Sequence, residues 1–238
     1  MNELLRCELT AVNQQFTHVL ALREWGEAEI AARIMEVDCV DFPNAMRILA
    51  FLLKTGAPLD LAPDSYVPGR TVTGILFAEQ AMERRLAAVL ADVRVTSPAA
   101  RAHVATAQAP RRAYAEWLAE RLSERNADDG DRARPDPAAA DLVAHLIAMI
   151  EQSLAHAFVH RHAGDTAGAD AAWAASGSAM MQLTALVRLF AARQDVPAPG
   201  AFPALRIARR PELAVEADAS LSALVARRAA EAARQTDE

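Results

Sequence analysis

Apolar side chains recurring every three or four residues mark the buried face of a helix, so polar residues standing inside such a stripe are the ones to read for chemistry. Glu8 sits in the turn between Leu5 and Val12, and Asp41 with Asn44 fills the gap between Val37 and Ile48. Glu79 and Glu83, one turn apart, interrupt the run Ile75, Leu76, Leu86 and Leu90, and Arg111 and Tyr114 stand between Val104 and Leu118. Four helical segments thus each carry polar groups into a buried face. A buried carboxylate left alone costs several kcal/mol, so such a cluster needs metal ions, protons or a buried cation as compensation. Four-helix bundles that bind iron or manganese do so with one Glu from each of two helices and a Glu-x-x-His from each of the other two. Glu8 and Glu83 suit the single positions, whereas Asp41-x-x-Asn44 and Arg111-x-x-Tyr114 stand where the paired ligands belong. Arginine cannot ligate a cation and brings a fixed positive charge. Two readings follow: one iron held by Glu8, Asp41 and Glu83 with Glu79, or a structural ion-pair network in which Arg111 neutralises Glu8, Asp41 and Glu83.

The elements that would position these residues are helices. The chain has 238 residues, of which 53% are hydrophobic but only 5% aromatic, with 9 glycines and much alanine. That composition favours packed helices and excludes an all-β enzyme. Periodicity predicts helices over residues 2–24 and 27–54, separated by Trp25-Gly26, and a third over 70–92 after a proline-punctuated crossover containing Gly56, Pro58, Pro68 and Gly69. Thr96-Ser97-Pro98 should cap a fourth that runs to Arg125 with a kink at Pro110. Residues 127–137 are polar and rich in breakers, so they read as a linker between a four-helix bundle over 1–126 and a second helical unit over 138–238. Three further helices are predicted there, over 138–163, 167–192 and 211–234. The second unit echoes the plan of the first, with Glu151 in the place of Glu8, and Thr184 and Val187 in the places of Asp41 and Asn44. A degenerate internal repeat is the expectation.

Asn2 to Phe16 with His18, followed by Leu22-Arg-Glu-Trp-Gly26, closely resembles the first helix of bacterioferritins. The resemblance continues through Asn44-Ala45, Gly56-Ala57-Pro58, Ala81-Met82-Glu83 and Glu116-Trp117-Leu118, covering about the first half of the chain. It implies a ferritin-like bundle in which Glu8 and Glu83 occupy carboxylate ligand positions of a dinuclear iron centre. Asp41 would stand for a glutamate and Asn44 for its histidine partner, with Pro43 between them removing a helix hydrogen bond. Arg111 and Tyr114 would replace the glutamate and histidine of the fourth helix. Phe42 falls near the haem-ligating methionine, so no haem is expected, and Gln15 replaces a tyrosine usual in the first-helix motif.

The remaining candidates have plainer readings. His145, His156 and His160 lie largely off the apolar face of their helix and are expected to be solvated or at an interface. Glu151 and Glu216 are the inward carboxylates of that half. Cys7 and Cys39 are read as small buried hydrophobes, which with their number implies a reducing, cytoplasmic setting, and Met149, Met180 and Met181 as core fillers. A net charge of −6 gives no basis for attraction to nucleic acid or to a membrane surface. No leader sequence is expected, and residues 179–192, the most apolar stretch, are too short and too interrupted to span a bilayer. The expectation is a homo-oligomeric, divergent bacterioferritin-like protein with weakened or lost iron binding at Glu8, Asp41, Asn44 and Glu83. A non-catalytic helical interaction or scaffold protein is the alternative, and a diiron oxygenase is disfavoured by the same missing ligands.

Overall fold

The computed structural model describes residues 1–59, 61, 63–66, 68–93, 98–108, 111–125, 137–193, 199, 202–203, 205, 208 and 210–236. These residues are all-α. The helices are α1 (Asn2–Glu24), α2 (Ala28–Lys54), α3 (Val72–Asp92), α4 (Pro98–Gln108), α5 (Arg111–Ser123), α6 (Pro137–His162), α7 (Thr166–Ala191) and α8 (Pro211–Thr236). The fourth predicted helix is therefore two, α4 and α5. The expected cap at Thr96-Ser97, the kink at Pro110 and all of the expected linker except Pro137, which opens α6, lie outside the described residues.

Contacts divide the chain into two units. The first comprises Met1–Asp60, Tyr66–Arg134 and Val187–Val196, the second Leu61–Ser65, Pro135–Leu186 and Pro197–Glu238. In the first, α1 packs on α2 and α3, α3 on α5, and α2 on α4, giving a bundle in which α4 and α5 share the fourth helix position. Its core takes in much of the predicted apolar stripes, with Leu5, Ile34, Ile48, Leu86 and Leu118 enclosed along with Leu22, while Val12 and Val104 are only half-buried.

The hairpin between α1 and α2 is set by Gly26, whose φ of 82° lets the chain turn. There the amides of Gly26 and Glu27 return to the carbonyls of Arg23 and Leu22, satisfying acceptors that a helix end leaves free. α2 runs unbroken past Pro43. The crossover to α3 is tied down by Tyr66, whose hydroxyl lies 2.9 Å from Thr17 Oγ1 and donates to the Asn13 carbonyl. Thr71 then caps α3 by accepting the Gly74 amide at 3.0 Å. Gly69 packs so closely against this turn that a Cβ there would fall 2.0 Å from the Ile75 nitrogen.

In the second unit α6 packs on α8. α6 is long and apolar enough to cross a membrane by length and composition, yet 89% of its apolar window is buried within the fold. A helix apolar on every side suits such a core position. It buries His145, His156 and His160 along with its aliphatic residues, which corrects the expectation of solvated histidines: with no polar face to the helix, periodicity could not assign them a side. Glu216 is exposed although Glu151 is buried, and Met181 and Cys39 are exposed, so neither is a core filler.

Candidate functional site

The polar interruptions of the first bundle meet in one buried layer. Glu8 from α1, Asp41 from α2 and Glu83 from α3 converge on Arg111, the first residue of α5, and all four are at least nine-tenths buried. Arg111 Nη2 donates to Glu8 Oε2 at 2.8 Å and to Asp41 Oδ1 at 3.0 Å, and Nη1 donates to Glu83 Oε1 at 2.8 Å. A planar guanidinium suits this task, since its forked donors reach several carboxylates at once and stay charged when buried. Gln15 Nε2 donates to the second oxygen of Asp41 at 3.2 Å. Asn44 does not join the cluster; its Oδ1 accepts from Arg47 instead, at 2.9 Å.

A second knot lies one helical turn along α5. Tyr114 donates its hydroxyl to Glu79 Oε2 at 2.8 Å, while Glu79 Oε1 is 2.6 Å from His18 Nδ1 and accepts from Gln14 Nε2 at 3.3 Å. The other ring nitrogen of His18 accepts the Gly69 amide at 3.3 Å. That bond fixes the tautomer, since Nε2 must be bare to accept, and Nδ1 then carries the proton donated to Glu79. The resemblance drew attention to Gln14 and His18 without giving them a role; this latch is what they do.

One guanidinium does not neutralise the layer. Burial pushes the Glu8 carboxyl up to about 8, outweighing Arg111, which lowers it, and Asp41 and Glu83 add to the rise. Burial likewise lifts Glu83 to about 7 against the pull of Arg111, and raises Asp41. Asp38, which the apolar stripes did not single out, is lifted to about 7 by burial and by the charges of Asp41 and Glu79. Burial also works against the charge of Arg111, but Glu8, Asp41 and Glu83 overcome it and hold the guanidinium protonated. Tyr114 is raised well above 10 by burial and by Glu79, so it remains a donor. Glu8 Oε2 accepts from Arg111, and its Oε1 is buried with no partner among the described residues.

The inward oxygens of Glu8, Asp41 and Glu83 are engaged at hydrogen-bonding distances of 2.8–3.0 Å by a nitrogen cation that sits at their focus. Carboxylate–metal bonds are shorter, about 2.0–2.2 Å, and need that focus vacant. Among the described residues no group of three or more His, Cys, Asp or Glu side chains is arranged to hold a metal ion. Arg111 thus stands at the focus that a dinuclear iron centre would need vacant.

One curated relative is similar to part of this chain. It is the bacterial ferritin of Pseudomonas aeruginosa, 34% identical over 92 residues, which are 38% of this chain and 59% of that protein. The chain thus spans less than two thirds of the relative it matches. No protein-family model matches the chain. No solved structure matches it.

The second unit holds a similar latch. His156, on α6, places Nδ1 2.8 Å from Asp218 Oδ1 on α8 and accepts the Ala208 amide on Nε2 at 3.0 Å. Gln152, one turn earlier, donates to the same Asp218 oxygen at 3.0 Å, as Gln14 does to Glu79. Gly69 and Ala208 each lie three residues before their helix, and Gly26 and Gly164 each close the preceding hairpin with a φ near 80°. Aligning His18 with His156 in this register puts Leu146 at Glu8, Ala179 at Asp41 and Gln182 at Asn44, and the α3–α8 match puts Ser222 at Glu83. In this register Glu151 falls at Asn13, Thr184 at Met46 and Val187 at Leu49, which differs from the correspondences the sequence pattern suggests. The alanine-rich background offers several sequence registers, and the shared hydrogen bonds select one.

Proposed function

We propose that this chain is a divergent, ferritin-like bundle protein in which Arg111 and shared protons take the place of iron, so that metal binding at Glu8, Asp41, Asn44 and Glu83 is lost or much weakened. The observation that carries the reading is the three-way engagement of Arg111 by Glu8, Asp41 and Glu83. The similarity to bacterial ferritin supports the lineage, and the departures at Asn44, Arg111 and Tyr114 support the loss. A buried ion network of this kind adds little net stability over an apolar core, but it fixes which helix faces meet. On this reading the layer is a structural key and the protein has no ferroxidase chemistry. A cytoplasmic homo-oligomer that binds neither haem, nucleic acid nor membrane goes with it.

A non-catalytic interaction or scaffold role is the second reading. It draws on exposed large apolar side chains, Met181 at 70% and Val215 at 60%.

Metal analysis of the purified protein with an aerobic Fe(II) oxidation assay tests the proposal. Oxidation at the rate of buffer and no co-purifying iron are expected; iron in stoichiometric amount or oxidation well above buffer overturns it. Sizing chromatography separates a small oligomer from a cage-sized particle.

A further inference from the structure

A pocket of about 450 Å³ opens beside the layer, between α3 and the start of α5. That volume suits a small molecule, since ligand sites typically run from about 300 to 1,000 Å³. Its polar wall carries the guanidinium groups of Arg84 and Arg112 beside the already paired Arg111 and Glu83, with Gln80 and Gln108 as amide partners. The Glu83 oxygen Oε1 is already engaged by Arg111. Arg84 is steadied by a neutral group, donating to Gln80 Oε1 at 2.6 Å. Arg112 donates to Glu116 Oε1 at 3.0 Å, but both side chains are largely exposed, and such a pair is readily exchanged for another anion.

The backbone points the same way. Arg111 and Arg112 open α5, a 13-residue helix with no acidic residue in its first turn, so the positive end of the helix dipole adds to the guanidinium charge. Arg111 is held by three carboxylates, so its place in the pocket wall is fixed without a ligand. Ala87, Leu90 and Ala115 supply an apolar wall.

We propose that this pocket binds a small organic anion, a carboxylate or phosphate monoester with a short apolar chain, whose charged end is held by Arg84 and Arg112 at the mouth of α5 and whose chain lies on Leu90 and Ala115. The proposal stands apart from whether the neighbouring layer has lost iron, because the two groups that would hold the anion, Arg84 and Arg112, lie outside that layer.

Calorimetric titration of the full chain with butanoate and with butyl phosphate at low ionic strength tests this, with n-butanol as the uncharged control. Saturable one-to-one binding of at least one anion is expected, weakened as salt is added, with none for butanol. Arg84→Ala with Arg112→Ala should weaken binding at least tenfold. Ala115→Trp, at an exposed position, should fill the pocket and abolish binding while leaving the helical circular dichroism and Tm unchanged. No saturable binding of either anion overturns the proposal; so does equal binding of butanol, or undiminished binding by the Ala115→Trp variant.

Discussion

Replacing Arg111 by leucine removes the cation from the layer while keeping its apolar stem. Three charge-assisted hydrogen bonds are lost, at 2.8, 2.8 and 3.0 Å, and Glu8, Asp41 and Glu83 are left facing one another in a buried site. Breaking a buried ion pair from one side typically costs about 3–5 kcal/mol. The carboxylates can escape part of that cost by taking up protons, and burial already pushes Glu8 to about 8 and Glu83 to about 7. The loss should therefore depend on pH. We expect about 3–5 kcal/mol at pH 8, and about 1–2 kcal/mol at pH 5, where Glu8 and Glu83 are protonated with or without the arginine. For a bundle of this size the loss at pH 8 corresponds to a fall in Tm on the order of 10–20 °C. Tryptophan fluorescence in a Trp173→Phe background reports on the first unit alone, through Trp25 and Trp117. A change at pH 8 below about 1 kcal/mol, or one that does not shrink on acidification, would refute the account of Arg111 as the layer's counter-ion.

The other predictions concern the same groups. In the native chain the raised carboxyls of Glu8, Asp38 and Glu83 bind protons that the unfolded chain releases near 4. Their stabilisation is complete below the unfolded carboxylate range and is lost as pH rises through about 7 to 8, so the urea midpoint of the first unit should fall between pH 5 and pH 9. A midpoint that climbs over that interval contradicts the raised values. His18→Ala leaves Glu79 short of a donor and the Gly69 amide without its acceptor, and His156→Ala does the same to Asp218 and Ala208. Each should cost about 2–3 kcal/mol and speed hydrogen exchange at that one amide, which distinguishes loss of the latch from general loosening. Gly69→Ala, whose Cβ would meet the Ile75 nitrogen at 2.0 Å, should cost about 3 kcal/mol, read as a lowered urea midpoint with an unchanged helical spectrum.

Much of the layer was legible because a charge inside an apolar stripe is a strong local signal. Glu8, Asp41, Glu83 and Arg111 each interrupt one, and all four meet. Asn44 interrupts one too and is buried, but its Oδ1 has a nearer partner in Arg47, and the spacing of the apolar stripe does not show that. Asp38 went unread because it lies at the edge of the α2 stripe and gains its environment from Asp41 and Glu79 across the bundle. The latches were illegible for a related reason. Each joins a helix to a crossover amide some fifty residues away, and neither a histidine nor a glycine announces such a partner. The helix boundaries at Gly26 and Gly56 were plain, since both residues take the left-handed conformation that glycine permits. The histidines of α6 were misplaced because a helix buried on all sides has no polar face to reveal a direction.

The central claim is that Arg111, and not a metal ion, occupies the focus of the carboxylates. Anaerobic calorimetric titration with Fe(II), comparing the native chain with the Arg111→Glu, Tyr114→His variant, tests it most directly. The account predicts no saturable binding by the native chain and gain of binding by the variant, which exchanges the guanidinium for a carboxylate and the phenol for an imidazole. Stoichiometric, tight Fe(II) binding by the native chain would contradict it.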